Sequence, residues 1–219
     1  MSEEREGNGS SVPGAGSDGA PMSNSADGLP LPVDLRPSAS VEGGVIFTIG
    51  HSSCTLAAFV ALLRQVGVDL VVDIRSFPRS RANPQFDIGV LPESLTAQGI
   101  EYRHLPALGG RRHRIAGSLP STNLLWREPS FRNYADYAET EPFRDGMDEL
   151  LRLARDHRVA LMCAEAVWWR CHRRIVADFV LARGVRVEHI LGLGHVTQAV
   201  LTPGAVVKAD RTVAYPSPT

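Results

Sequence analysis

The sequence predicts a three-layer α/β domain built on a mainly parallel sheet and preceded by a disordered tail. Three observations lead there. Between residues 45 and 191, short apolar runs alternate with amphipathic stretches of helical period. The short runs are apolar almost throughout, the pattern of strands covered on both faces rather than on one. The first forty residues are rich in Gly, Ser, Pro and acidic side chains and contain no aromatic residue.

The elements follow in order. "VIFTIG" (45–50) reads as a strand ending at Gly50. "TLAAFVALLRQVG" (55–67) reads as a helix, with Leu56, Phe59, Leu62, Leu63 and Val66 on one face and Gly67 as its stop. "VDLVVDIR" (68–75) is a second strand, "VLPESLTAQG" (90–99) a short helix and "IEYRHLP" (100–106) a third strand. "SLPSTNLLWREPSF" (118–131) is a long irregular connection, and 134–156 is helical with a break near Pro142. "RVALMCAE" (158–165), "RCHRRIVADFVLARG" (170–184) and "VRVEHIL" (185–191) complete the alternation as strand, helix and last strand. Strands alternating with helices make a Rossmann-like, doubly wound sheet.

The expected organisation is a tail over 1–43, an α/β domain over 44–195 and a C-terminal extension over 196–219. The tail has too little apolar surface to offset an ordering cost of roughly 1–2 kcal/mol per residue. It lacks the basic start and apolar centre of a signal peptide. No apolar run approaches the ~20 residues of a membrane helix, so a cytoplasmic protein without membrane partners is expected. The formal charge of −1 conceals a split. Residues 1–40 hold six acidic and two basic residues, leaving 21 basic and 18 acidic beyond them. That balance argues against a long duplex-binding surface and allows a local anion site. Three cysteines, Cys54, Cys163 and Cys171, are an odd and irregular set, unlike a disulfide framework. The sequence carries no signal for oligomeric state.

In open parallel sheets, ligands bind beyond the carboxyl ends of the strands. Here each end carries unusual chemistry: Gly50-His51-Ser52, Asp73-Ile74-Arg75, "LPALGGRR" (105–112) and Cys163-Ala164-Glu165. A parallel sheet brings these four segments to one edge.

"TIGHS" (48–52), "VDIRSFPRSRANPQF" (72–86), "LGG" (108–110) and "MCAE…RCHRRIVAD" (162–178) together resemble the DUF488 family, bacterial and archaeal proteins without an assigned general function. The resemblance spans about residues 45–191. It implies the same α/β fold and the same strand-end residues, and it implies no reaction.

The chemistry is therefore argued from the residues. Asp73 and Glu165, carboxylates following buried strands, are candidates for acid/base catalysis, with structural ion pairs to Arg75 or Arg173 as the alternative. Cys163 is a candidate thiolate nucleophile or a packed core residue, and His51 joins the catalytic candidates. Arg170 with Arg173 or Arg174, at i, i+3 and i+4 of one helix, is expected to clamp an anion. Ser52, Arg75, Arg79, Arg81, Gly109, Gly110 and Arg111 supply a basic, glycine-containing rim, and His172 a base or a helix cap. Trp126, Phe131, Trp168 and Trp169 either stack on a base or pack the loops onto the core. No dinucleotide or Walker motif is present, and no cofactor is expected. Cys163, Cys171 and His172, with His51, are suitable metal ligands by type. Their spacing matches no zinc pattern, and neighbours on one helix make awkward co-ligands. Three readings remain: an enzyme acting on a nucleotide or an exposed base of nucleic acid by carboxylate acid/base chemistry; sulfur transfer or phosphatase-like chemistry at Cys163; and a non-catalytic nucleotide or nucleic-acid binding module.

Overall fold

The computed structural model describes residues 44–114 and 119–218, so the tail expected over 1–43 lies outside the described residues. The predicted alternation is present. It runs β1 (Val45–Gly50), α1 (Leu56–Arg64), β2 (Leu70–Asp73), α2 (Leu91–Thr96), β3 (Glu101–His104), α3 (Pro129–Tyr137), α4 (Glu141–Asp156), β4 (Val159–Cys163), α5 (Arg173–Leu181) and β5 (Arg186–Gly192). Three short strands follow: β6 (His195–Gln198), β7 (Val206–Val207) and β8 (Val213–Ala214).

Six strands form one sheet in the order β3-β2-β4-β1-β5-β6. Every pairing is parallel except β5 with β6. Alternate residues of β1, β2, β4 and β5 feed two apolar layers. Ile46, Leu70, Val72, Val159, Leu161 and Val187 face one cluster with Phe143, Met147, Ile175 and Phe179 of α4 and α5. Val45, Phe47, Ile49, Val71, Ala160 and Met162 face the other with Phe59 and Leu63 of α1 and Leu91 and Leu95 of α2. Burying one such aliphatic or aromatic side chain is worth roughly 1.5–3 kcal/mol, and both faces of the sheet use it.

Local signals set the helix ends. Thr55 caps α1 by accepting from the Ala58 amide at 3.2 Å. The break expected near Pro142 falls before it, at 138–140. Pro142 sits in the first turn of α4, where a missing N–H costs nothing. Pro129 opens α3 in the same way. That helix takes up the end of the stretch read as an irregular connection.

Residues 196–218, expected only as an extension, contribute to the main core. Tyr215 is buried among its apolar residues. Its hydroxyl donates to Asp178 Oδ2 at 2.9 Å, and the Thr202 amide donates to Asp178 Oδ1 at 2.9 Å. The Tyr215 amide reaches Asn123 Oδ1, and its carbonyl accepts from Leu125. The segment thus closes over α5 and the connection before α3. Among the described residues, no helix is long and apolar enough to cross a membrane.

Candidate active site at the carboxyl edge of the sheet

The ladder between β1 and β4 continues past both strands. The His51 amide donates to Cys163 O at 3.0 Å and the Ser52 amide to Ala164 O at 2.9 Å. The two chains run so close that a Cβ on Gly50 would lie 1.8 Å from the Glu165 carbonyl oxygen. Only glycine permits this approach.

At the end of β2, Asp73 is fully buried and held on both oxygens. Arg75 donates to Oδ1 from its amide and Nε at 3.0 and 2.9 Å, and to Oδ2 from Nη2 at 2.5 Å. Tyr102 Oη donates to Oδ2 at 2.6 Å. Burial, and then the Asp73 charge, push the Tyr102 phenol well above its ordinary value. Burial disfavours the Arg75 cation, yet its bonds to Asp73 outweigh this and hold it charged. The guanidinium also reaches the Phe86 carbonyl at 2.9 Å and His51 Nε2 at 3.2 Å. The His51 ring stacks on Phe86 at 4.2 Å, and its Nδ1 lies 2.9 Å from Ser52 O. Burial is the main cause of its lowered pKa, with the Ser52 bond acting the other way.

A second cluster sits across the edge, on the opposite face of the sheet. His172 Nε2 lies 3.1 Å from the Ile74 carbonyl, which can only accept, so the ring proton is on Nε2. Nδ1 is left as an acceptor. It faces two sulfurs, Cys171 Sγ at 3.5 Å and Cys163 Sγ at 3.9 Å. Both thiols are buried. Cys163 is held protonated by its hydrogen bond to Cys171 and by burial. Cys171 ionises well below the ordinary thiol value, because Cys163 donates to it despite the burial, with His172 and Arg173 beside it. Gly110 packs so tightly on the imidazole that a Cβ there would lie 2.3 Å from Nδ1.

A cavity of about 430 Å³ opens over both clusters. Of the residues singled out in the sequence, His51, Arg75, Arg79, Gly110, Arg111, Cys163, Glu165, Arg170, Cys171 and His172 line it, as does Phe131. Ser52, Asp73, Arg81, Gly109 and Arg173 do not. Ser52 is exposed in a left-handed conformation, φ 46°. Gly109 lets its turn pack against Ser76, whose Oγ a Cβ would meet at 2.6 Å. The sequence reading passed over Ser76, Ser80, Ser130 and Tyr134, which also line the cavity. The serines flank arginines or prolines in segments already marked as rim or loop, and Tyr134 is a helix residue whose hydroxyl is spent on Leu108 O at 2.7 Å.

Three expectations change. Glu165 is exposed, and among the described residues its carboxylate forms no ion pair with Arg75 or Arg173, because its strand has already ended. Arg173 is 1% exposed and turns inward, donating to the Glu165 and Ala166 carbonyls and, from Nε, to Cys171 Sγ at 3.5 Å. The helix begins at Arg173, not at Arg170, so the proposed i, i+3, i+4 clamp is not assembled. Arg170 lies in a preceding single turn of 3₁₀ helix, Trp168–Arg170, and Arg174 packs over Trp126 at 5.0 Å. The same shift frees Cys171 and His172 from being neighbours inside a helix. Cys171 is extended, φ −127° and ψ 149°, and His172 stands at the N-cap position of α5 without a side-chain capping bond, its ring turned back toward β4. Of the aromatic candidates, Trp126 is buried against Phe131 and Tyr215, and Trp168 stacks on His189 at 4.3 Å. Trp169 is half exposed and outside the cavity.

A family model described as "Domain of unknown function DUF488" matches residues 55–180, which takes in β2, β4 and the start of α5 with the clusters they carry. No curated protein and no solved structure matches the chain.

Proposed function

Since the chain belongs to the DUF488 family, a domain of unknown function, its chemistry rests on the site itself, and we propose that it is an enzyme acting on an anionic, phosphate-bearing substrate, a nucleotide or an exposed base of nucleic acid, with Glu165 as its acid/base group. One observation carries the reading. A single exposed carboxylate, Glu165, shares a cavity with four arginines, Arg75, Arg79, Arg111 and Arg170. Guanidinium forks suit phosphate oxygens, and Ser76, Ser80 and Ser130 add hydroxyls around them. The volume falls within the ~300–1,000 Å³ common for small-ligand sites. Phe77 and Phe131 offer apolar surface for a base or sugar.

Asp73 takes a different part from that expected of it. Both oxygens already accept hydrogen bonds from Arg75 and Tyr102, which supports a positioning role, fixing Arg75, in place of proton transfer. Thiol chemistry is the second reading, favoured by the His172 Nδ1 facing both sulfurs. With Cys163 holding its proton, Cys171 is the better nucleophile of the two.

The test is calorimetry at low salt with inorganic phosphate, nucleoside monophosphates and diphosphates, and a short single-stranded oligonucleotide, with mass spectrometry of the products. Binding is expected to weaken about 3–10-fold on replacing Arg79, Arg111 or Arg170 by Ala. Glu165→Gln is expected to keep affinity and lose turnover by at least ~100-fold. Absence of affinity for all of these probes would remove the proposal, and undiminished turnover in Glu165→Gln would transfer the chemistry to the thiols.

A further inference from the structure

We propose that Cys163, Cys171 and His172 bind one divalent metal ion of the zinc class, with its fourth coordination position open to the cavity. The three donor atoms lie within 4.8 Å of one another. A tetrahedral zinc with Zn–S near 2.3 Å and Zn–N near 2.0–2.1 Å has N···S edges of about 3.6 Å. The two N···S separations here are 3.5 and 3.9 Å. The third edge, S···S, is about 3.8 Å in such a tetrahedron and at most 4.8 Å here, so an ion draws the two sulfurs together by no more than about 1 Å.

Hydrogen bonding alone gives a poorer account of the cluster. With Cys163 donating to Cys171, neither sulfur supplies a proton to the single Nδ1 lone pair, yet both sulfurs converge on it. A metal uses all three donors at once. The surroundings are those of a ligand set. His172 Nε2–H donates to Ile74 O at 3.1 Å, which fixes the ring and aims the Nδ1 lone pair, the usual outer-shell support of a metal-bound imidazole. Arg173 donates to Cys171 Sγ and is nearly inaccessible to solvent, so a cation stands beside the sulfur and favours its thiolate form. Gly110 packs against the ring beside Nδ1, where a Cβ would lie 2.3 Å from that nitrogen. Two sulfurs and one imidazole nitrogen select zinc over magnesium or calcium. All three residues line the cavity, so an incoming ligand reaches the ion directly. Glu165 lines the same cavity, and a zinc there would supply a Lewis acid and an acidified water.

The assignment goes beyond the catalytic reading above and holds or fails apart from it, because its readout is the metal itself. The full chain, produced without a histidine tag and purified without chelator, is expected to carry one zinc per chain by elemental mass spectrometry. After removal of the metal with dipicolinate, titration with Co²⁺ should give the intense near-ultraviolet sulfur-to-cobalt charge-transfer band and the visible bands of tetrahedral cobalt. Cys163→Ser, Cys171→Ser and His172→Gln should each weaken cobalt binding at least 100-fold. Cys54→Ser should leave it unchanged. Zinc should protect Cys163 and Cys171, but not Cys54, from alkylation. Circular dichroism and melting of each variant separate loss of metal from loss of fold. If the folded wild-type chain takes up cobalt without a charge-transfer band, or takes up none, the proposal is overturned, whatever the phosphate probes show.

Discussion

Arg75 Nη1 donates to His51 Nε2 at 3.2 Å, one buried side chain fixing the tautomer of another. A guanidinium cannot accept, so Nε2 is unprotonated, and the ring proton sits on Nδ1, facing the Ser52 carbonyl at 2.9 Å. His51 is thus a neutral imidazole that helps to hold an arginine. Replacing it with Phe keeps the stack on Phe86 and leaves one Arg75 N–H without its acceptor. The expected cost is about 1–3 kcal/mol in urea denaturation, with weaker phosphate binding in calorimetry. An unchanged stability curve would mean that the bond contributes nothing.

Asp73 and Tyr102 separate pairing from mere contact. Asp73→Asn removes the countercharge of a buried cation and is expected to cost about 3–5 kcal/mol. Tyr102→Phe removes one hydrogen bond and should cost about 1–2 kcal/mol, with cobalt binding intact. The order of the two costs, read from denaturation midpoints, checks the account.

The stability of the fold should depend on pH through His189. This residue is buried, stacked on Trp168 and bonded through Nδ1 to Thr48 Oγ1 at 2.7 Å. Burial, then the Arg173 charge, lower its pKa from 6.5 to about 4. The unfolded chain therefore binds a proton at His189 between these values while the folded chain does not. Stability is full above pH 6.5, falls as pH drops toward 4, and levels off below, by up to roughly 3 kcal/mol. His189→Asn should flatten this part of the profile. Denaturation at pH 7.0 and 4.5 reads it directly, and parallel profiles for the two proteins would refute it.

Two glycines should respond in opposite ways. In Gly50→Ala the new methyl meets main chain, the Glu165 carbonyl, and neither strand can yield. A loss of 3 kcal/mol or more is expected, on the order of other severe core clashes. In Gly110→Ala the methyl meets the His172 ring, which can rotate. That variant should melt close to wild type and lose its tetrahedral cobalt spectrum.

Tyr215 tests the contribution of the last twenty residues. Tyr215→Phe should cost about 1 kcal/mol through the Asp178 bond, and Tyr215→Ala about 3–5 kcal/mol through the cavity it leaves. Neither should alter phosphate affinity, because Tyr215 is outside the cavity.

Much of this was legible in the chain. "VDLVVDIR" and "RVALMCAE" read as strands because their central runs are apolar, and a parallel arrangement then fixes which of their ends gather. What stayed hidden depends on distant partners or on a boundary of a few residues. The role of Asp73 turns on Tyr102, brought beside it by the parallel register of β2 and β3. The convergence of Cys171 and His172 turns on where α5 begins. A helix started at 170 splays them about 100° apart, whereas one started at 173 leaves Cys171 extended. The strands after residue 192 are two to four residues long and carry too little pattern to register.

The position of β1 bears on how the molecule is made. It is the earliest strand among the described residues and lies inside the sheet, where Phe47 pairs with Ala160 on one side and Glu188 on the other. During synthesis it waits for both neighbours. A nascent chain that has not reached Val159 can pair β2 with β3, but it leaves β1 bare, with Phe47 and Ile49 open to solvent or to a chaperone. Folding should accordingly be slow, toward the millisecond-to-second end expected of non-local topologies. Because β4 enters between β2 and β1, the two sulfurs and the imidazole meet only after the strand that flanks them has emerged. Any fragment ending short of Cys171 lacks two of the three donors.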